Sequence, residues 1–497
     1  MAERLAGAFS LVPAAATSAL FFALAWREQG SILAEDWLPY ALGAGLLVAT
    51  VLASGAALRP RSACLAGLGA LAALAAWTAL SASWSPVPAL ARDEALLVVF
   101  YGLALAVPLL TLRSERDRLA AIGIVAAASV VLLVATAVRL VAVDGVADLY
   151  WYGRLALPVG YPGAEAAIFL VSFWPAAALA ASPRLGIAPR ALAFGGAVAL
   201  LAGWLMTQSR AGAVSLAVSA IVVFAFAPAR LRLLVPVAAA ALLAGSAYSP
   251  LTEPFREHGA ELEPAIRDAA AWALLLALAG VLVGVVYALA DRRLAVPPRI
   301  ARAAGIAAVA VLVLGAAGAV GAFAATVDAP ADYVGERWDE FKSQSPTETG
   351  SSHLATIGSN RYDFWRVALD EFREHPLHGA GARAFGHAYL RHGRTDETPR
   401  RAHSLEWDLL GETGLVGLAL AVAAFLPFAW IILRRARSDL VAAGVLGGVA
   451  YWVVHASGDW TWTFPAVGLP FFLLLGAGAA GVENHRITSR ATSAGGL

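Results

Sequence analysis

Apolar runs of about twenty residues recur along the chain, separated by short polar stretches. They fall at 5–26, 37–58, 64–84, 95–112, 119–143, 163–181, 191–207, 211–227, 231–248, 269–290, 303–326, 414–433, 440–457 and 460–482. Each is close to the ~20 residues that a helix needs to cross the ~30 Å core of a bilayer. A backbone inside lipid must satisfy its own hydrogen bonds, so these runs predict helices. The expected fold is an all-α polytopic membrane protein with about 14 transmembrane helices. One interval breaks the rhythm: 328–403 stays polar for roughly 75 residues. The expected organisation follows from these runs. Residues 1–326 form a bundle of about 11 spans, 327–408 an extracytoplasmic loop domain with short helices, 409–482 about 3 further spans, and 483–497 a short disordered cytoplasmic tail.

Composition agrees with that class. The 497 residues are 60% hydrophobic and 14% charged, and the mean hydropathy is +0.70. A net charge of +1 gives no electrostatic footprint for nucleic acid. The single cysteine, Cys64, rules out an intramolecular disulfide and a cysteine-based metal site. The start of the chain has an apolar stretch longer than a signal-peptide core, and it reads as the first span.

Loop charge predicts the orientation. Alternate loops, at 59–62, 113–118, 183–190, 228–232, 291–302 and 434–439, are rich in arginine. Such loops belong on the cytoplasmic side. Both termini are then cytoplasmic. The long loop faces outward, together with Arg139 near a helix end, Arg154, Arg210 and Asp459.

The long loop holds six of the nine histidines, at 353, 375, 378, 387, 392 and 403. Within it 328–350 reads as irregular, rich in Pro, Ser and Thr. SNRYDFWRVALDEFREHP then predicts a helix, with Asn360 as N-cap and Asp363 three residues on. Its apolar face reads as Trp365, Ala368, Leu369 and Phe372, and Pro376 ends it. PLHGAGARAFGHAYL predicts a Gly-rich turn and a second short helix, and HSLEWDLLGETG leads back into the membrane.

The stretch 376–404 carries five arginines and four histidines. Its bland reading is a solvated charge run. A positive patch on the outer side is not explained by membrane orientation, however, and guanidinium forks match phosphate oxygens. Arg210 sits in TQSRAG between two spans, where a charge either snorkels or needs an anionic partner. Arg139 fits snorkelling as well as a site. His375 and His378 could be two metal ligands, but Pro376 breaks the helical geometry between them and no further ligand pattern accompanies them. No nucleophile-elbow motif is present.

Several of these stretches resemble the O-antigen ligase and O-antigen polymerase superfamily. His403-Ser404, nine residues, then Gly414-Leu-Val-Gly417 is similar to the family's most specific pattern. NRYDFWRVALDEFREHPLHGAGARAFGHAY, TQSRAG, LSASWSPVP and VVHASGDWTWTFPAVGLPFF resemble other family segments, so the likeness runs from about 77 to 481. The loop GRLALPVGYPGAEAA departs from the family pattern in lacking its Asn. The resemblance implies metal-independent glycosyl transfer with no cofactor, from a glycan on a polyprenyl diphosphate to an acceptor hydroxyl. The partners it implies are that donor, a carbohydrate, lipid or protein acceptor, and membrane lipids. It implies His403, Arg210 and Arg361 as catalytic residues, His403 being a base or a diphosphate contact. Arg154, Arg139, Arg383, Ser404 and Asp459 follow as substrate-binding residues. A repeat-unit polymerase of the same superfamily and a lipid-linked sugar transporter are the alternatives.

Overall fold

A computed structural model describes residues 2–294, 330–343, 353–355 and 360–481, with short pieces between 297 and 314. The chain is built of helices: α1 (Ala2–Ala25), α2 (Ala34–Ala53), α3 (Ser62–Ser81), α4 (Pro88–Thr111), α5 (Glu115–Ala142), α6 (Pro162–Ala181), α7 (Ile187–Thr207), α8 (Arg210–Phe226), α9 (Arg230–Ser246), α10 (Tyr248–Thr252) and α11 (Leu262–Arg293). Then come α12 (Pro330–Ser343), α13 (Arg361–Glu374), α14 (Phe385–His392), α15 (Leu405–Ala436), α16 (Leu440–Ala456) and α17 (Pro465–Ala479). The apolar runs lie on these helices, except 303–326, most of which is outside the described residues. Eight of the described helices are long and apolar enough to cross a membrane, and α9 and α10, bent by 70°, form either a broken ninth span or a re-entrant loop. α8, α16, α17 and the Ser10–Ala25 part of α1 are shorter apolar helices. The expected cytoplasmic tail lies outside the described residues.

Every residue of α6 is buried. Its sequence is apolar all round because other helices enclose it. Close packing comes from missing side chains. A Cβ on Gly280 of α11 would lie 2.9 Å from the Cα of Gly195 on α7, so these helices meet backbone to backbone. The arginine-rich loops meet one another at one end of the bundle. Asp439 pairs with Arg118 and Arg184, and Asp291 with Arg190 and Arg232. The residues singled out for chemistry gather at the other end.

Three details of the long loop depart from expectation. The stretch read as irregular contains α12, which starts on Pro330, carries Asp332 in its first turn and Lys342 in its last, and so has both ends matched to the helix dipole. Asn360 precedes α13, but its side chain makes no cap; Nδ2 donates to Glu397 at 2.7 Å instead. The buried face of α13 is Asp363, Phe364, Val367, Ala368 and Glu371, rotated from the expected stripe. A buried carboxylate causes the shift. Asp363 accepts hydrogen bonds from Tyr389 Oη and the Arg394 amide, both at 2.7 Å, and pairs with Arg366. Counting only apolar residues misses a face anchored by an acid.

The return into the membrane is not one straight helix. At Gly414, φ is 67° and ψ is −167°, a conformation open to glycine alone, and α15 kinks there. The 376–381 turn takes up the backbone groups around the kink. Leu415 N–H donates to Pro376 O at 2.9 Å, while Ala380 N–H and Gly381 N–H donate to Gly411 O and Glu412 O at 2.8 and 2.9 Å. LSASWSP clasps the same turn: Ser81 Oγ accepts from the Ala382 amide and Ser85 Oγ donates to its carbonyl, each at 3.0 Å.

Candidate functional site

Helix starts and one tight loop deliver the site's side chains. α7 ends on Gln208 in a left-handed conformation, Ser209 caps α8 by accepting from the Gly212 amide at 3.1 Å, and Arg210 is the first residue of α8. Arg361 opens α13 in the same way. Arg154 comes from a two-residue hairpin, with Trp151 paired to Arg154 and its guanidinium 5.6 Å from the Trp151 ring. Asp459 lies between α16 and α17. His403 immediately precedes Ser404, the N-cap of α15.

These residues line one cavity of about 220 Å³, shared with Tyr161, His353, Phe364 and Glu397. Asp459 is 2% exposed. It accepts from Tyr161 Oη and its neighbour's amide at 2.9 Å and lies 3.6 Å from Arg361 Nη2. Burial opposes the Asp459 charge, but His455, Arg361 and His403 hold the carboxyl below its usual range. Burial likewise opposes the charge on Arg361, and Asp459 more than restores it. Three arginines face two carboxylates, Asp459 and Glu397, in the cavity. Burial pushes His353 down to about 3, with Arg154, Arg210 and Arg361 adding to the effect.

His403 adopts φ +56°, a strained conformation for a side-chain-bearing residue. Its ring sits between Phe364 and Trp460, at 5.1 and 5.4 Å between centroids. Nδ1 is 3.0 Å from the Arg401 carbonyl. A carbonyl can only accept, so Nδ1 carries the hydrogen and Nε2 keeps a lone pair. Burial lowers the His403 pKa to about 4, Arg361 reinforcing and Asp459 opposing. The residue is therefore a neutral imidazole with one open acceptor.

A buried network holds that strained segment. Arg401, 2% exposed, pairs with Glu94 of α4 and with Glu412 of α15, the latter at 3.1 Å. Trp462 Nε1 donates to Glu94 at 2.8 Å, and the Ala402 amide donates to Asp408 at 2.8 Å. Sequence reasoning missed Tyr161, His353, Arg401, Glu94, Asp408 and Glu412. Glu94 and Glu412, just before the runs 95–112 and 414–433, were the available signal, since a charge at a membrane edge often needs a partner.

Three expected site residues stand elsewhere. Arg139 is exposed and lies over the Trp26 ring at 5.6 Å, where snorkelling accounts for it. Arg383 turns to Glu94 at 3.4 Å and lines a separate cavity of about 540 Å³. Ser404 is buried and caps α15 through its hydroxyl, which accepts from the Trp407 amide at 3.4 Å. His375 and His378 stack on each other at 5.3 Å, and among the described residues no group of three or more His, Cys, Asp or Glu could hold a metal ion.

No curated protein matches the chain. Residues 267–422 match the O-antigen ligase family. That stretch contains α13, the 376–381 turn and the kinked start of α15, so Arg361 and His403 lie within it, and the bundle adds Arg154, Arg210 and Asp459 from outside it. The likeness to the O-antigen ligase family therefore rests on this one domain, residues 267–422.

Proposed function

We propose that the protein transfers a glycan from a polyprenyl-diphosphate carrier to an acceptor hydroxyl at the outer face of the cytoplasmic membrane. The observation that carries this reading is the convergence of Arg154, Arg210, Arg361 and the open Nε2-bearing ring of His403 on one cavity. Three guanidiniums suit a diphosphate, whose leaving oxygen gathers charge as the glycosidic bond breaks. The acceptor oxygen attacks the anomeric carbon, and the bond from that carbon to the phosphate oxygen breaks. Its electron pair leaves on the diphosphate, and the acceptor proton passes to His403 Nε2.

Arg210 and Arg361 act as the clamp, with Arg154 beside them; Asp459 orients Arg361. The arginine-rich loops at the opposite end of the bundle support a cytoplasmic reading of that end and so an outward-facing cavity, where finished lipid-linked glycans are met. The test is reconstitution of the full chain in vesicles with a polyprenyl-diphosphate glycan. Release of polyprenyl diphosphate together with glycan transfer is expected, and binding without release refutes the assignment. A repeat-unit polymerase would use the same donor cavity and extend the glycan on its carrier, so product length and anchor distinguish it from a ligase.

A further inference from the structure

His455 is 0% exposed and stands outside the transfer chemistry. It lies in the last turn of α16, one helical turn before Asp459. The Tyr451 hydroxyl donates to its Nδ1 at the shorter distance of 2.8 Å, with the Ala166 carbonyl 3.1 Å from the same oxygen, so the ring is fixed from behind with its hydrogen on Nε2. Its Nε2 points at Oδ2 of Asp459 across 3.6 Å. Arg361 Nη2 approaches the same oxygen, also at 3.6 Å. The Tyr161 hydroxyl lies 2.9 and 3.1 Å from the two carboxylate oxygens, and the Trp460 amide takes Oδ1 at 2.9 Å. At 3.6 Å neither His455 nor Arg361 forms a full hydrogen bond with Oδ2. Nε2 of His455 and Nε of Arg361 are both buried without a hydrogen-bond partner.

One carboxylate oxygen thus stands equidistant from a fixed imidazole and a long guanidinium. We propose that His455 is a positioning residue that takes over Asp459 when Arg361 turns to the diphosphate. Arg361 is held against Asp459. Moving it to the donor would strand a buried carboxylate, which is costly unless another donor closes on it. The Nε2–H of His455 needs to travel only a few tenths of an ångström to become that donor. Arg361 is then released without leaving Asp459 short of a hydrogen-bond donor. This rests on the diphosphate reading of the cavity given above.

The experiment compares wild type, His455→Phe, His455→Gln and Arg361→Ala as full-length protein in vesicles. It measures the Kd for polyprenyl diphosphate, together with KM for the glycan donor and kcat. Phe keeps the ring volume and removes the donor; Gln keeps an N–H. His455→Phe is expected to raise Kd and KM about tenfold with kcat within about threefold of wild type, and His455→Gln to stay within about threefold in all three. Tyr451→Phe, which frees the ring from behind, should shift Kd in the same direction by less. Equal damage in the Phe and Gln variants, or an unchanged Kd in both His455→Phe and Tyr451→Phe, overturns the assignment. If Arg361→Ala binds polyprenyl diphosphate as well as wild type does, the diphosphate reading itself falls and takes this inference with it.

Discussion

With His403 as the proposed base, its depressed pKa should set the acid side of the pH profile. An imidazole with an ordinary pKa near 6.5 is only ~3% neutral at pH 5. Held at about 4 by burial and Arg361, His403 is ~90% neutral at that pH. If Nε2 is the proton acceptor, kcat/KM at pH 5 should stand near its plateau and reach half of it close to pH 4. An unperturbed histidine would already have lost the rate about 30-fold at pH 5. The assay is initial-rate transfer from a polyprenyl-diphosphate glycan between pH 4 and 8, with kcat/KM reporting the free protein. His403→Gln should cost 10²–10⁴-fold, roughly what a positioned general base contributes, and should erase the acid limb. A limb centred near 6.5, or one that survives in His403→Gln, would refute the reasoning. The same depression has a stability counterpart. The folded pKa lies below the unfolded one, so the stability associated with a neutral His403 is complete above about pH 6.5 and is lost as pH falls through about 4.

Arg361→Lys keeps the charge but loses the fork, and should raise donor KM by about tenfold, with Arg361→Ala costing more; steady-state kinetics against donor concentration checks both. Arg401→Met leaves Glu94 and Glu412 buried without their shared cation and should destabilise by about 3–5 kcal/mol, read as a lowered thermal midpoint in detergent. Gly414→Ala places a methyl against the Leu377 backbone at φ +67° and should cost about 1–3 kcal/mol from backbone strain alone, with activity falling as His403 shifts.

Much of this arrangement could be read before any coordinates. Apolar runs of about twenty residues have one solution in lipid, and the arginine-rich loops between them do meet one another at one end of the bundle. Arg210 and Arg361 were visible because a charge at a span junction, or at a helix start in the long polar loop, has few structural excuses. What stayed hidden depends on distant pairings. Asp363 looks like a first-turn acid, yet Tyr389 and the Arg394 amide draw it inward and rotate α13. Arg383 and Arg401 look equivalent in sequence. Only Arg401 is fully enclosed between two carboxylates, and only it presents a carbonyl to His403. Ser404 sits in the most specific motif, and its task is to start a helix.

The nine residues between Ser404 and Gly414 are the helical stretch Leu405–Thr413, closed at one end by a side-chain cap and at the other by the glycine kink. Main-chain bonds from the 376–381 turn pin the kink. The interval therefore works as a ruler of roughly 13 Å, one end fixed to the bundle and the other carrying His403. One added or deleted residue would swing that end by about 100° and move it ~1.5 Å. Apart from Asp408 and Glu412, which hold Ala402 and Arg401, side chains along the ruler can vary while its length cannot, and the loop that covers the cavity can change its surface without moving His403.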